Sequence, residues 1–130
     1  MTVAYIALGS NIEPEKNLRD GVARLRDIST VLRVSSVYKT PPFGYTDQPD
    51  FLDVTVKVET DRTPADFKHL LYAIEHASGR IREKQLTKWG PLELDLDILL
   101  WGDAPLEFGA KPWHVPNEGI LLYAAVAAPL

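Results

Sequence analysis

The sequence predicts an α+β fold: a ferredoxin-like β-α-β-β-α-β unit with an antiparallel sheet, both helices on one sheet face, and an open polar face that carries the site. Two observations predict it. Apolar residues recur at helical spacing in two segments, and four other segments are typical of strands, in the order strand, helix, strand, strand, helix, strand. In the third and fourth strands apolar and polar residues alternate, so one face can receive the helices while the other stays open.

Proline and glycine set the limits of the predicted elements. A proline stands in the first turn of each helix, at Pro14 and Pro64, and Gly79 ends the second helix. The prolines and the glycine within residues 41–50 exclude regular structure there. After residue 101 we expect a loop and then a short helix at residues 117–127. The strands are predicted at residues 3–8, 31–40, 51–60 and 94–101, and the helices at residues 14–28 and 63–78.

Length and composition limit the class of protein. The 130 residues, of which 45% are apolar, predict one domain over residues 1–130. The absence of cysteine excludes disulfides, thiolate catalysis and cysteine-ligated metals. A net charge of −4 argues against nucleic acid as a partner. No apolar run reaches the ~18 residues of a membrane span and no signal-peptide pattern is present, so we expect a cytoplasmic protein without a membrane partner; we also expect a monomer.

The most informative segment is the fourth strand, which begins Leu-Asp-Leu-Asp-Ile at residues 94–98. Side chains of a strand alternate between its faces, so Asp95 and Asp97 project from one face, together with Glu93. Carboxylates about 7 Å apart on a rigid strand repel each other unless a cation lies between them. Mg²⁺ suits such oxygen ligands, particularly when substrate phosphates complete its shell. The alternative is a solvated strand face, although aspartate is uncommon in strands.

Basic residues follow the second helix and precede the acidic strand. They are Arg80, Arg82, Lys84 and Lys88. Such a cluster suits a polyphosphate with its metal, because arginine offers forked donors and lysine a point charge. The alternative is a solvated loop after a helix C-terminus. His114 lies in a proline-flanked loop that could close over phosphates.

Aromatic residues near the same strand indicate a flat ligand. Trp89 lies in a Trp-Gly-Pro turn, where it is either a local plug or a stacking platform. Phe43 and Phe51, among other aromatic residues, flank the proline-rich segment. Asp53 could accept two hydrogen bonds from an amino-pyrimidine edge, or it could simply be an exposed strand residue.

Taken together, these segments resemble the 6-hydroxymethyl-7,8-dihydropterin pyrophosphokinase family. The resemblance covers about residues 2–101 and is weaker afterwards. Several ordered motifs at compatible spacing make it specific, whereas each motif alone would be weak. The matching segments are residues 7–11 (ALGSN), 35–42 (SSVYKTPP), 47–52 (DQPDFL), 79–82 (GRIR), 89–91 (WGP) and 94–98 (LDLDI).

The resemblance implies an enzyme of folate biosynthesis that transfers pyrophosphate from ATP to the hydroxymethyl group of the pterin and releases AMP. It implies ATP as co-substrate, the dihydropterin as the other partner, and two Mg²⁺ ions as cofactor, held by Asp95 and Asp97. The implied catalytic residues are Arg80, Arg82, Asp95 and Asp97. The implied ATP contacts are Glu75, Arg80, Arg82, Lys84, Ile98 and His114. The implied pterin contacts are Thr40, Pro41, Pro42, Phe43, Phe51, Asp53 and Trp89.

The chain also departs from the family pattern. Leu92 follows the Trp-Gly-Pro turn where the family usually has arginine, and Glu118 stands near the position of a second arginine. Ile120 replaces a phenylalanine of the pterin sandwich, Asp53 replaces an asparagine, and the sequence stops before the usual tail. These departures motivate an alternative, a non-catalytic or altered-specificity homologue that binds a pterin or nucleotide. An unrelated RNA-binding module of the same fold is disfavoured by the net acidity.

Overall fold

The computed structural model describes residues 1–41, 47–79 and 93–102, and the backbone of residues 106–108 and 113–115. Within these residues, two helices are interspersed with strands. The strands are β1 (Thr2–Ser10), β2 (Thr30–Val34), β3 (Tyr38–Thr40), β4 (Phe51–Thr60), β5 (Asp95–Trp101), β6 (Leu106–Phe108) and β7 (Trp113–Val115), and the helices are α1 (Pro14–Ile28) and α2 (Pro64–Ala77).

The main sheet confirms the predicted ferredoxin-like arrangement. Its strands pair antiparallel in the order β2-β4-β1-β5, and β3 pairs with the first residues of β4. When β2 and β3 are counted as one predicted strand, the order along the chain is β-α-β-β-α-β. Strand β1 therefore lies between β4 and β5, and β5 is the outermost strand on its side of this sheet.

The prediction of one continuous strand over residues 31–40 is wrong, because the pairing with β4 breaks after Val34. Val34 lies opposite Val56 and Tyr38 lies opposite Asp53, so the register shifts by one residue between β2 and β3. Ser35 supplies the reason. Its N–H donates to the Thr55 carbonyl at 2.8 Å, but its hydroxyl accepts the Thr55 N–H at 2.9 Å. A side-chain acceptor thus interrupts the main-chain ladder.

One face of the sheet packs against both helices and forms the core. Ile6 of β1 lies opposite Val56 on one side and Ile98 on the other, and all three are buried. Gly21 lets α1 approach the sheet closely, since a Cβ there would lie 3.0 Å from Leu8 and 3.1 Å from Leu94. The helix residues buried in this core are Leu18, Leu25, Phe67, Leu71 and Ile74.

The ends of the helices follow the sequence signals closely. Pro64 lies in the first turn of α2, and the Thr63 hydroxyl accepts the Asp66 N–H at 3.2 Å. Gly79 follows the helix with φ of 103°, a conformation that glycine adopts without strain. No helix of the described residues is long and apolar enough to cross a membrane.

Strands β6 and β7 correct the prediction of a loop between residue 101 and the predicted helix at residues 117–127. They pair as a two-stranded antiparallel sheet, with Leu106 opposite Val115. Runs of three residues are too short for a sequence period to reveal them. His114, predicted in a loop, lies on β7 opposite Glu107. The predicted helix at residues 117–127 lies outside the described residues.

Candidate active site

The open face of the sheet presents two rows of residues that cross β4, β1 and β5. In the first row Gly9 lies between Asp53 and Asp95. In the second row Ala7 lies between Thr55 and Asp97. Both central residues are small, so the side chains of the flanking strands can reach toward each other over β1. A Cβ at Gly9 would lie only 2.9 Å from Asp53 Oδ1, which places the Asp53 carboxyl directly over the glycine.

Asp95 and Asp97 project from β5 as the alternation predicts. Both are half-buried, whereas Leu96 and Ile98 between and beside them are buried. The pKa of Asp97 is raised well above its ordinary value of 3.8, first by burial and second by the charge of Asp95. A side-chain hydrogen bond with Asp95 raises it further, and the ammonium of Lys68 opposes the shift.

This pair of carboxyls is chemically suited to a divalent cation. Two adjacent carboxyl groups that hydrogen-bond to each other must share a proton, and a cation could replace it. Within the described part of the chain, no group of three or more His, Cys, Asp and Glu residues is placed to hold a metal. The two aspartates could provide two ligands, and phosphate oxygens or water would complete the shell of an Mg²⁺ ion.

Asp53 is buried, which contradicts the alternative of an exposed strand residue. Its side chain accepts a hydrogen bond from the Thr40 hydroxyl at 2.5 Å, and both residues are less than a tenth exposed. The pKa of Asp53 is raised from 3.8 to about 6, because burial outweighs the lowering effect of Thr40, and Asp95 adds a smaller increase. Carboxyl groups therefore lie on both sides of Gly9.

Three of the predicted pterin contacts lie together where β3 meets β4. Thr40 lies opposite Phe51, and Tyr38 lies opposite Asp53. Pro41 follows β3 and is exposed. Beside this corner, Asn11 at the end of β1 donates to Gln48 Oε1 at 2.8 Å and to the Pro49 carbonyl at 3.0 Å. These bonds hold the segment before β4 against the end of β1, and neither Asn11 nor Gln48 was among the predicted site residues.

Helix α2 contributes two buried polar side chains to the outer edge of β5. Glu75, which is 2% exposed, accepts the Leu96 N–H at 2.8 Å. Lys68 donates to the Leu96 carbonyl at 3.4 Å and lies 3.7 Å from Asp97 Oδ1. The sequence reasoning missed Lys68. The sequence did contain an indication of its role: Lys68 lies seven residues before Glu75, on the same side of the helix and beside the apolar stripe.

The remaining predicted contacts stay predictions. Glu75 lies beneath the edge of β5, and Ile98 lies in the core, so a nucleotide contact by Ile98 would involve its main chain. His114 is placed by its backbone alone. The other predicted residues, Pro42, Phe43, Arg80, Arg82, Lys84 and Trp89, lie outside the described residues.

Comparison with known proteins gives one family. Residues 5–130 match the family model described as 7,8-dihydro-6-hydroxymethylpterin-pyrophosphokinase. A protein from Bacillus subtilis named 2-amino-4-hydroxy-6-hydroxymethyldihydropteridine pyrophosphokinase is 42% identical, over 98% of this chain and 75% of its own length. A protein of the same name from Methylorubrum extorquens is 38% identical, over the full chain and 81% of its own length.

A solved structure supports the fold. The crystal structure of the HPPK-DHPS protein of Plasmodium falciparum matches with a TM-score of 0.66, over 97% of this chain and 38% of that one. The two sequences are only 11% identical in this comparison, so the match bears on the fold alone.

Proposed function

Because the chain belongs to the 7,8-dihydro-6-hydroxymethylpterin-pyrophosphokinase family, we propose that it transfers pyrophosphate from ATP to the hydroxymethyl group of 6-hydroxymethyl-7,8-dihydropterin and releases AMP. The reaction would serve folate biosynthesis. The observation that carries the proposal is the open face itself, where β1 alone separates a carboxyl pair suited to a cation from a buried polar corner suited to a flat heterocycle.

The polar corner at Thr40 and Asp53 is the proposed pterin site. Above its pKa of about 6 the Asp53 carboxyl is mostly ionised, and it could then accept N–H bonds from an amino-pyrimidine edge. Asp53 and Asp95 flank the same residue of β1, so their main chains are about 10 Å apart, two strand spacings. A pterin bound at Asp53 could therefore extend its hydroxymethyl group toward the aspartate pair.

Asp95 and Asp97 are the proposed ligands of Mg²⁺, two ions in all. When bound, Mg²⁺ would neutralise phosphate charge and orient the reacting oxygens. The pterin hydroxyl oxygen would then form a bond to the β-phosphorus of ATP, and the bond from that phosphorus to the oxygen shared with the α-phosphate would break. The hydroxyl proton passes to solvent, and AMP leaves with the electron pair of the broken bond on its phosphate oxygen.

The other implied contacts complete the proposal. Arg80 and Arg82 would act as catalytic cations that balance the phosphate charge of the transition state. The remaining ATP contacts would be Glu75, Lys84, Ile98 and His114, and the walls of the pterin site would be Pro41, Pro42, Phe43, Phe51 and Trp89. We propose a monomer, because one copy of the open face suffices for this reaction. We also propose that the protein works in the cytoplasm.

The test is a direct assay of the products. The protein is mixed with ATP, Mg²⁺ and 6-hydroxymethyl-7,8-dihydropterin, and AMP and pterin diphosphate are measured by chromatography. We expect the two products in equal amounts, and no AMP when either Mg²⁺ or the pterin is left out. AMP without the pterin would indicate hydrolysis of ATP instead of transfer.

A second candidate function is binding without turnover, which Leu92 and Glu118 favour because they stand where the family usually has arginines. Loss of a charge-assisted hydrogen bond costs about 1.5–3 kcal/mol. Tight pterin binding in a parallel titration, with no AMP formed, would support this candidate and contradict the transfer proposal.

A further inference from the structure

Lys68 of α2 is a buried lysine that the proposed reaction does not yet use. Its residue is 6% exposed, although lysine is almost never buried without a partner. The ammonium lies near the Leu96 carbonyl at 3.4 Å, Asp97 Oδ1 at 3.7 Å and the Tyr72 ring, whose centroid is 5.1 Å away. An acceptor, an anion and an aromatic face are each favourable neighbours for this cation.

Packing alone would not require a lysine here. Lys68 is buried on α2, and an aliphatic side chain could fill a buried position at no cost of burying charge. What an aliphatic residue could not do is bind the two oxygen atoms of β5 near the ammonium, the Leu96 carbonyl and Asp97 Oδ1. The presence of a lysine at this position is therefore explained by its contacts with β5 and not by packing within α2.

The place on β5 that Lys68 contacts is specific. Leu96 lies between the two aspartates, and α2 binds both of its main-chain polar groups, the N–H through Glu75 and the carbonyl through Lys68. Because β5 is the outermost strand of its sheet, these groups are the ones that β1 cannot pair. Helix α2 thus fixes the main chain of β5 at the residue between the two proposed metal ligands.

We propose that Lys68 is a positioning residue for the cation site: it holds Oδ1 of Asp97 from the side of the helix, so that the other carboxyl oxygen stays turned toward the open face. The inference rests on the proposed function, because it takes Asp97 as a metal ligand. It adds a residue of α2 that orients this ligand without touching a substrate. Groups that orient metal ligands typically contribute about 10–100-fold to metal affinity.

Metal binding tests the inference without requiring turnover. Mn²⁺ is titrated into the protein in the presence of an ATP analogue with a methylene group between the α- and β-phosphorus, and binding is followed by water-proton relaxation. We expect K68M to raise the Kd for Mn²⁺ about tenfold, since methionine keeps the length and removes the ammonium. We expect K68R, which restores a cation, to stay within about threefold of the unchanged protein.

K16M is the matched control. Lys16 also forms an ion pair with an aspartate, at 3.3 Å from Asp20, but both side chains are more than half exposed on α1. We expect its Kd for Mn²⁺ to be unchanged. Thermal unfolding is measured for every variant, and if K68M does not fold, K68Q takes its place, because glutamine keeps a donor for the Leu96 carbonyl without the charge.

Three results would overturn the inference. The first is an unchanged Kd in a K68M protein that unfolds at a lower temperature, which would make Lys68 purely structural. The second is a lower Kd, which would mean that the ammonium merely competes with the metal. The third is an unchanged protein that binds no Mn²⁺. AMP formation by the unchanged protein is assayed separately, so failure of the transfer reaction and failure of this inference give different results.

Discussion

On β1, neighbouring residues have opposite surroundings. Ile6 and Leu8 point into the core beneath the helices and are almost completely buried. Ala7 and Gly9 belong to the open face, between polar residues of β4 and β5. The first pair excludes water and fills space, whereas the second pair leaves space for groups on either side. The same strand therefore stabilises the fold with one face and supports the candidate site with the other.

The two faces also contribute to stability with opposite sign. Each large aliphatic side chain buried on the helix face contributes about 1.5–3 kcal/mol. On the open face, burial raises the pKa values of Asp53 and Asp97, which means that these carboxylates destabilise the folded state once ionised. A substitution on the helix face should therefore reduce stability, while removal of a charge on the open face should reduce activity but not stability.

The largest expected effect is on the activity of the open face. Asp95→Asn and Asp97→Asn each remove a charged ligand at nearly constant volume, and we expect each to lower AMP formation by about 10²–10³-fold. Midpoints of urea unfolding should be unchanged or higher, because a costly charge has been removed. Asp20→Asn, an exposed position on α1, is the control and should keep its activity. Retained activity in both variants would contradict the metal assignment.

The second effect is on the stability of the helix face. Ile6→Ala removes a fully buried side chain from the middle of the sheet, and we expect it to reduce the free energy of unfolding by about 2–5 kcal/mol. Urea unfolding measures the loss, and the activity of the folded fraction should remain close to that of the unchanged protein. A loss below about 1 kcal/mol would show that the core relaxes around Ile6.

Local periodicity explains why much of this comparison could be predicted from the sequence. Alternation places Asp95 and Asp97 opposite Leu96 and Ile98 on any strand, whatever lies beside it. The helix signals Pro64 and Gly79 also act within a few residues. The order of elements then restricts the fold to a small set of arrangements, and the ferredoxin-like one is confirmed.

Contacts between distant segments could not be predicted in this way. The burial of Asp53 depends on the Thr40 hydroxyl and on Gly9, which are 13 and 44 residues away in the sequence. The contact of Lys68 with Leu96 joins residues 28 positions apart. Ser35 breaks a strand because its hydroxyl happens to face the Thr55 N–H. Periodicity contains no information about such pairs, since it describes one element at a time.

The smallest expected effect is a gain in stability at Asp53, and pH determines its size. The folded pKa of about 6 lies above the ordinary value of 3.8, so the folded state binds the proton more tightly than the unfolded state. The contribution of Asp53 to the free energy of unfolding should therefore fall as pH rises from about 4 to 6 and should be level above that range, while Asp97, whose pKa is raised to about 8, continues the decline at higher pH. When Asp53 is fully ionised, its charge lowers the free energy of unfolding by about 3 kcal/mol, at 1.36 kcal/mol for each pKa unit.

Asp53→Asn should remove most of this penalty, because an amide oxygen can still accept the Thr40 hydroxyl bond while carrying no charge. We expect the variant to be about 1–3 kcal/mol more stable at pH 8 and no more stable at pH 4, as measured by urea unfolding at both values. Asp20→Asn should change stability by less than about 0.5 kcal/mol at either pH. If Asp53→Asn increased the free energy of unfolding equally at both pH values, the gain would not come from the loss of a charge, and the prediction would be contradicted.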